Sequence, residues 1–307
     1  VMGNGGRVEG TVFSNGSVGL GSDTVVTGSA FLAATSTLDG VAVGQDAVAF
    51  RIEDSTVGGN ATATDIVDST ISGNAVANLL QDCAVGQNAY YNTLTRCTVG
   101  GSKTSPIAPP ANLPPAGFPI SADQMSFWEN QASAGGTVDG DYIISSSISL
   151  GPKVITGDLK INNGEILTLT GTVWVKGRLV LGNNAVVQLS SAYGSNSGVT
   201  LIDGESDFGN GVVFSGSGQS SSYVILVSRA VSPDKAFELG NNVVGAILYA
   251  PYGEVDIGNN IEVKEVTAYK INMGNGAVLK YESGLVDIKF TGGSAVVPKI
   301  KSWQESL

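Results

Sequence analysis

The chain contains two cysteines, Cys83 and Cys97, set fourteen residues apart. Three aspartates, Asp54, Asp68 and Asp82, follow the same interval, and Arg96 takes the next place in their series. Stacked by that spacing, each set suggests a chemistry. Neighbouring β-strands lie about 4.8 Å apart, near the Cα separation of a disulfide, so Cys83 and Cys97 read as a staple between adjacent coils in an oxidising compartment. The other reading is a pair of reduced thiols in a core, where free cysteine is common. Two thiols without histidine make a poor metal site. Stacked aspartates repel by roughly 1 kcal/mol per neighbouring pair even in water, and calcium, a hard cation with oxygen ligands, would offset this. A screened acidic edge closed off by Arg96 would explain the column equally well. Neither an EF-hand loop nor the nonapeptide calcium repeat is present.

Catalytic residues are scarcer. The chain has no histidine, so acid–base work would fall to carboxylates, lysine or tyrosine, as in solenoid polysaccharide lyases. Glu254 and Asp256 form the nearest thing to a pair, yet they alternate with Val255 and Ile257 as a solvated strand face does. No nucleophile has a recognisable base beside it. MGNGG and GLGSD resemble phosphate loops only in glycine content, since no helix follows them. Tyr90, Tyr91, Phe127, Trp128 and Trp303 are candidate platforms for a glycan, or residues that cap cores. The expectation is a protein that is not an enzyme and takes no cofactor unless calcium, with a carbohydrate-binding or polysaccharide-degrading β-helix as the alternative.

The elements that would position these residues announce themselves by repetition. VGQDA, VGGNA, ISGNA and VGQNA recur at the fourteen-residue interval and decay to VGGSK. A fixed period of this kind means a solenoid. Three columns are expected to point inward: Val43, Val57, Ile71, Val85 and Val99; Leu38, Ile52, Ile66, Leu80 and Leu94; and Ala47, Ala61, Ala75 and Ala89. Gly58, Gly73 and Gly86 fall at corners, where glycine tolerates left-handed backbone. Asn60, Asn74 and Asn88 are expected to stack as a ladder of bonded amides. LGSDTVV at Leu20 and MGNGG at Met2 are less regular, so the first coils should be longer or bulged.

After residue 101 the composition changes. Six of the ten prolines lie between Pro106 and Pro119, which predicts an extended linker over 102–119. Ser121 and Gln124 form a capping box, and Met125, Trp128 and Ala132 follow at helical spacing. One short helix within 120–135 should cover the open end of the next core. A second array, 136–307, carries INNGEI, LGNNAVV, FGNGVV, LGNNVV, IGNNIEV and MGNGAVL at uneven intervals, which predicts loops bulging from the coils. The fold class is all-β: two tandem parallel β-solenoids, residues 1–101 and 136–307, right-handed by the crossover rule.

Net charge is −11, and the first hundred residues hold only Arg7, Arg51 and Arg96 as cations. No basic stripe exists for nucleic acid. No apolar run is long enough to span a membrane, so this segment is not expected to insert directly. No signal peptide precedes Val1, which is not a natural start, so a removed leader or anchor stays open.

The second array also carries a resemblance. The order GDYIISSSISLGPKVITGDLKINNGEILTLTGTVWVKGRLVLGNNAVVQL, AILYAPYGEVDIGNN and EVTAYKINMGNGAVLKYESGL, ending in KSWQES, resembles bacterial cell-surface β-solenoid proteins of candidate-phylum bacteria. Those proteins often follow a pilin-like hydrophobic N-terminal segment, which this sequence lacks. The resemblance covers roughly 118–307. It implies an envelope or pilus-associated structural role with no catalytic residues, and stacked coils add the expectation of a rigid extracellular or cell-surface protein that forms filaments or adheres. The expected partners are other pilus or surface subunits, or copies of the chain joined end to end. The edge expected to join them is the first coil, Met2 to Phe13, which no preceding helix covers.

Overall fold

The computed structural model describes residues 2–19, 23–33, 35–115, 117–231 and 235–280. The chain is a parallel β-solenoid of about 15 turns with a single helix among the described residues. It divides into two compact units. One holds Val1–Gly117 with Gly274–Val278, and the other holds Phe118–Met273.

In the first unit each regular coil contributes a two-residue strand such as Thr56–Val57 and a seven-residue strand such as Ala61–Val67. The register follows the fourteen-residue columns. Ala47, Ala61, Ala75 and Ala89 face one another, as do Leu38, Ile52, Ile66, Leu80 and Leu94. Leu38, Ile52, Ile66 and Leu80 are completely buried, so one column of aliphatic groups fills the coil axis. The early coils are longer: Arg7 faces Val25, and Val25 faces Ala42. The array continues through the strand Lys103–Thr104, a little beyond the expected boundary. The proline-rich chain then stays with this unit. Ile107 N–H bonds Asn92 Oδ1 (2.9 Å), and Leu113 bridges Ala33.

The first coil is not an open edge. Arg7 N–H donates to Ala277 O (2.9 Å), Gly276 N–H donates to Asn4 O (3.1 Å), and Asn4 N–H donates to Asn275 Oδ1 (3.0 Å). Asn275 to Ala277 thus stack on Asn4 to Arg7 as one rung on the next. The chain itself thus pairs the first coil at Asn4 to Arg7, which removes that part of Met2 to Phe13 as the joining edge, while the strand Val12–Ser14 ends its sheet with Phe13 42% exposed.

In the second unit the helix Ala122–Ala134 has the expected capping box, Ser121 with Gln124. It does not cover a coil end. Trp128, 1% exposed, packs with Ile120 onto the outer face of a sheet formed by Val199, Leu201, Ile225, Val227, Ile247 and Tyr249. Those valines, isoleucines and leucine make the strands Gly198–Ile202 and Val224–Ser228 buried on both faces, and such a sheet needs a cover.

Candidate functional site

The repeated corners are where the chain places its polar residues. One position per coil takes left-handed backbone: Gly40, Asp54, Asp68, Asp82 and Arg96 have φ of 69°, 48°, 47°, 50° and 51°. Aspartate tolerates this region because its short side chain bonds locally. Backbone conformation is thus enough to account for aspartate in this column. Asp54 and Asp68 are exposed, and no cluster of three acidic, cysteine or histidine residues suited to a metal occurs among the described residues. Arg96 closes the column with Nε and Nη2 at 2.5 and 2.6 Å from the two Asp82 oxygens, and this bonding holds the Asp82 carboxyl below the usual range.

Gly58, Gly73 and Gly86, by contrast, do not have positive φ. Close approach requires them. A Cβ on Gly58 would lie 2.3 Å from the Gly44 carbonyl oxygen of the coil before it, and one on Gly86 would lie 2.3 Å from that of Ser72.

Next to the aspartates runs a column of small polar side chains turned inward. Ser69 Oγ accepts from Ser55 N–H (3.2 Å) and donates to Val67 O (2.7 Å). Cys83 and Cys97 continue the column as a disulfide, with Cα atoms 4.5 Å apart. In-register coils bring the two sulfurs together because a fourteen-residue step moves the chain by one strand spacing.

The asparagine ladder is present as expected. Asn60 Oδ1 accepts from Asn74 N–H and Nδ2, and Asn74 Oδ1 accepts from Asn88 N–H and Nδ2, all at 3.0–3.1 Å. The second unit builds its own ladder through Asn163, Asn183, Asn210, Asn241 and Asn259. Each Oδ1 accepts the next N–H at 2.8–3.0 Å across separations of 20, 27, 31 and 18 residues. Uneven coil lengths therefore leave the corner unchanged, and the surplus residues lie elsewhere on each coil.

The carboxylates weighed for catalysis are occupied. Val255 and Ile257 are buried while Glu254 and Asp256 lie on the outer face. Glu254 Oε2 is 3.1 Å from Lys270 Nζ. Asp256 meets Lys235 Nζ at 2.9 Å and Asn272 Nδ2 at 2.6 Å. Burial opposes ionisation of Asp256, but the Asn272 and Lys235 bonds outweigh it and hold its carboxyl below the usual range. An acid so held keeps no proton to donate at neutral pH. Among the described residues the core holds a void of about 10 Å³ lined by aliphatic groups such as Leu159, Leu167 and Val173, too small for a sugar ring.

Two clusters carried no periodic signal in the sequence. Arg229 joins Glu129 on the helix to Asp203 (2.5 Å) and lies 4.9 Å over the Trp174 ring, whose Nε1 donates to Asp203 (3.0 Å). This group pins the helix to the sheet. Glu265 sits in line with Ile247, and its Oε2 is buried without a hydrogen-bond partner. Desolvation pushes its carboxyl up to about 8.

Of the aromatic candidates, Trp128 is core, Phe127 packs beside it, and Tyr90 and Tyr91 are half-buried. Trp303 lies outside the described residues, as do Leu20 and the KSWQES phrase. Among the described residues the exposed aromatics are instead Phe13, Phe118, Tyr252 and Tyr269. No family model, curated protein or solved structure matches the chain.

Proposed function

We propose that the protein is a non-enzymatic structural solenoid of the cell exterior: a rigid surface or pilus-associated subunit that presents its wall and joins other subunits at its coil ends. The observation that carries this reading is the Cys83–Cys97 disulfide, set in a wall whose polar side chains are already bonded from coil to coil. A disulfide persists in oxidising compartments, and stacked coils that contact mainly their neighbours make a stiff scaffold. Amides and carboxylates consumed by ladders and ion pairs also leave little chemistry for a substrate.

Antibody labelling of intact cells that produce the protein is the direct test. Labelling before permeabilisation is expected, and labelling only afterwards would sink the reading. In parallel, pectate, alginate and other acidic polysaccharides should not turn over. Activity lost on Glu254→Gln or Asp256→Asn would instead favour the polysaccharide-degrading alternative.

A further inference from the structure

With Asn4 to Arg7 paired by the chain itself, sheet ends other than Val12–Ser14 stand out among the described residues. The strands Thr98–Val99 and Lys103–Thr104 end their sheets in the first unit, and Thr137–Val138, Tyr142–Ile144 and Ile148–Leu150 end theirs in the second. Side-chain exposure shows the same openness. Leu94 and Val99 are part-exposed where their column mates Leu80 and Val85 are buried, and Ile143 and Ile148 are 59% and 40% exposed. From the structure we infer that these two edges are the two halves of a head-to-tail joint between copies of this chain, the last coil of the first unit seating the first coil of the second unit of another copy.

Charge selects this pairing over the two like-with-like ones. The last coil carries Arg96 and Lys103, both exposed. The first coil of the second unit carries Asp139 and Asp141, also exposed, and no cation. Joining like edges sets cation on cation or acid on acid, whereas head-to-tail contact sets each against its opposite.

Hydrogen-bond polarity selects it as well. In the first unit the ladder oxygen of each coil accepts the next coil's N–H, ending with Asn88 Oδ1 and Ser102 N–H (2.9 Å), while Ala89 N–H donates to Ser102 O (2.9 Å). In the second unit Asp141 Oδ1 accepts from Asp158 N–H (2.8 Å), while Tyr142 N–H donates to Asp158 O (2.7 Å). The pattern is the same and runs in the same sense. Asp141 of one copy therefore fits as the rung after Ser102 of another, its N–H directed at Ser102 Oγ and its carbonyl at Lys103 N–H. The chain after Thr104 leaves room for this, since Ile107 meets the last coil at Asn92 and Leu113 lies back at Ala33. Such a contact is heterologous and propagates into open filaments unless rotation closes a ring.

This joint rests on the structural role proposed above but fails separately from it. Sedimentation velocity of the full chain, with electron microscopy, should show assemblies that grow with protein concentration and shrink with salt. Lys103→Glu and Asp141→Lys should each abolish association, with circular dichroism confirming that the coils are intact. Mixing the two variants should restore it, because each altered edge then meets an opposite charge. A wild-type monomer at every concentration overturns the joint, as does assembly indifferent to both variants or a mixture that stays monomeric. None of these results bears on surface labelling or polysaccharide turnover.

Discussion

Glu265→Gln should make the protein more stable at neutral pH, although it removes a charge from a chain of net charge −11. The Glu265 carboxyl stands in line with Ile247, a member of the apolar cluster under the helix, and its Oε2 finds no partner. Its carboxyl is raised from 4.5 to about 8 by desolvation. The folded chain therefore holds this proton more tightly than the unfolded chain. Between pH 4.5 and about 8 the folded state binds more protons, so stability falls as pH rises, and the loss levels off above the folded value. Each pH unit in that window costs about 1.4 kcal/mol, which puts the penalty at pH 7 on the order of 3 kcal/mol. Urea unfolding of wild type and Glu265→Gln at pH 5, 6, 7 and 8 reads this directly. The two midpoints should nearly coincide at pH 5 and separate steadily towards pH 8, with the variant higher. Parallel pH profiles would refute the reasoning, because a carboxyl that is hydrated in the folded state contributes no such slope.

Three further outcomes follow from the same geometry. Non-reduced, alkylated protein should show no free thiol by mass spectrometry, and reduction of Cys83–Cys97, which closes a fourteen-residue loop, should cost about 3 kcal/mol in denaturant unfolding. Asp68→Asn should be nearly neutral and Asp68→Val should cost about 1–2 kcal/mol, since φ at this corner is 47° and a β-branched residue resists it. Millimolar calcium should leave the melting temperature of all three proteins unchanged, and a rise in wild type alone would restore the cation reading. Arg229→Ala breaks the bonds to Glu129 and Asp203 and the stacking on Trp174, so amide exchange should quicken across Ala122–Ala134 while the coils stay protected.

The fourteen-residue interval determined much of this protein without coordinates. Column identity, the stacked asparagines and the Cys83–Cys97 contact all follow from it, because a parallel coil of constant length returns each residue to the same place one strand spacing higher. The capping box located the helix for a similarly local reason, since Ser121 and Gln124 act on backbone within one turn. Features that depend on which distant surfaces meet were decided only in three dimensions. Sequence shows the charge of the aspartate column and not the left-handed φ that also favours aspartate there. The helix looked like an end cap because a Trp128 seat across Val199, Ile225 and Ile247 is built from strands far apart in the chain. Met2 to Phe13 looked like a bare edge because nothing local shows that residues 274–278 come back to it, although the shared MGNG phrase marked both rungs. Arg229 with Asp203 and the orphaned Glu265 had no periodic signal at all, for each is a single event on a wall of repeats, and only packing gives such a residue its partner or withholds one.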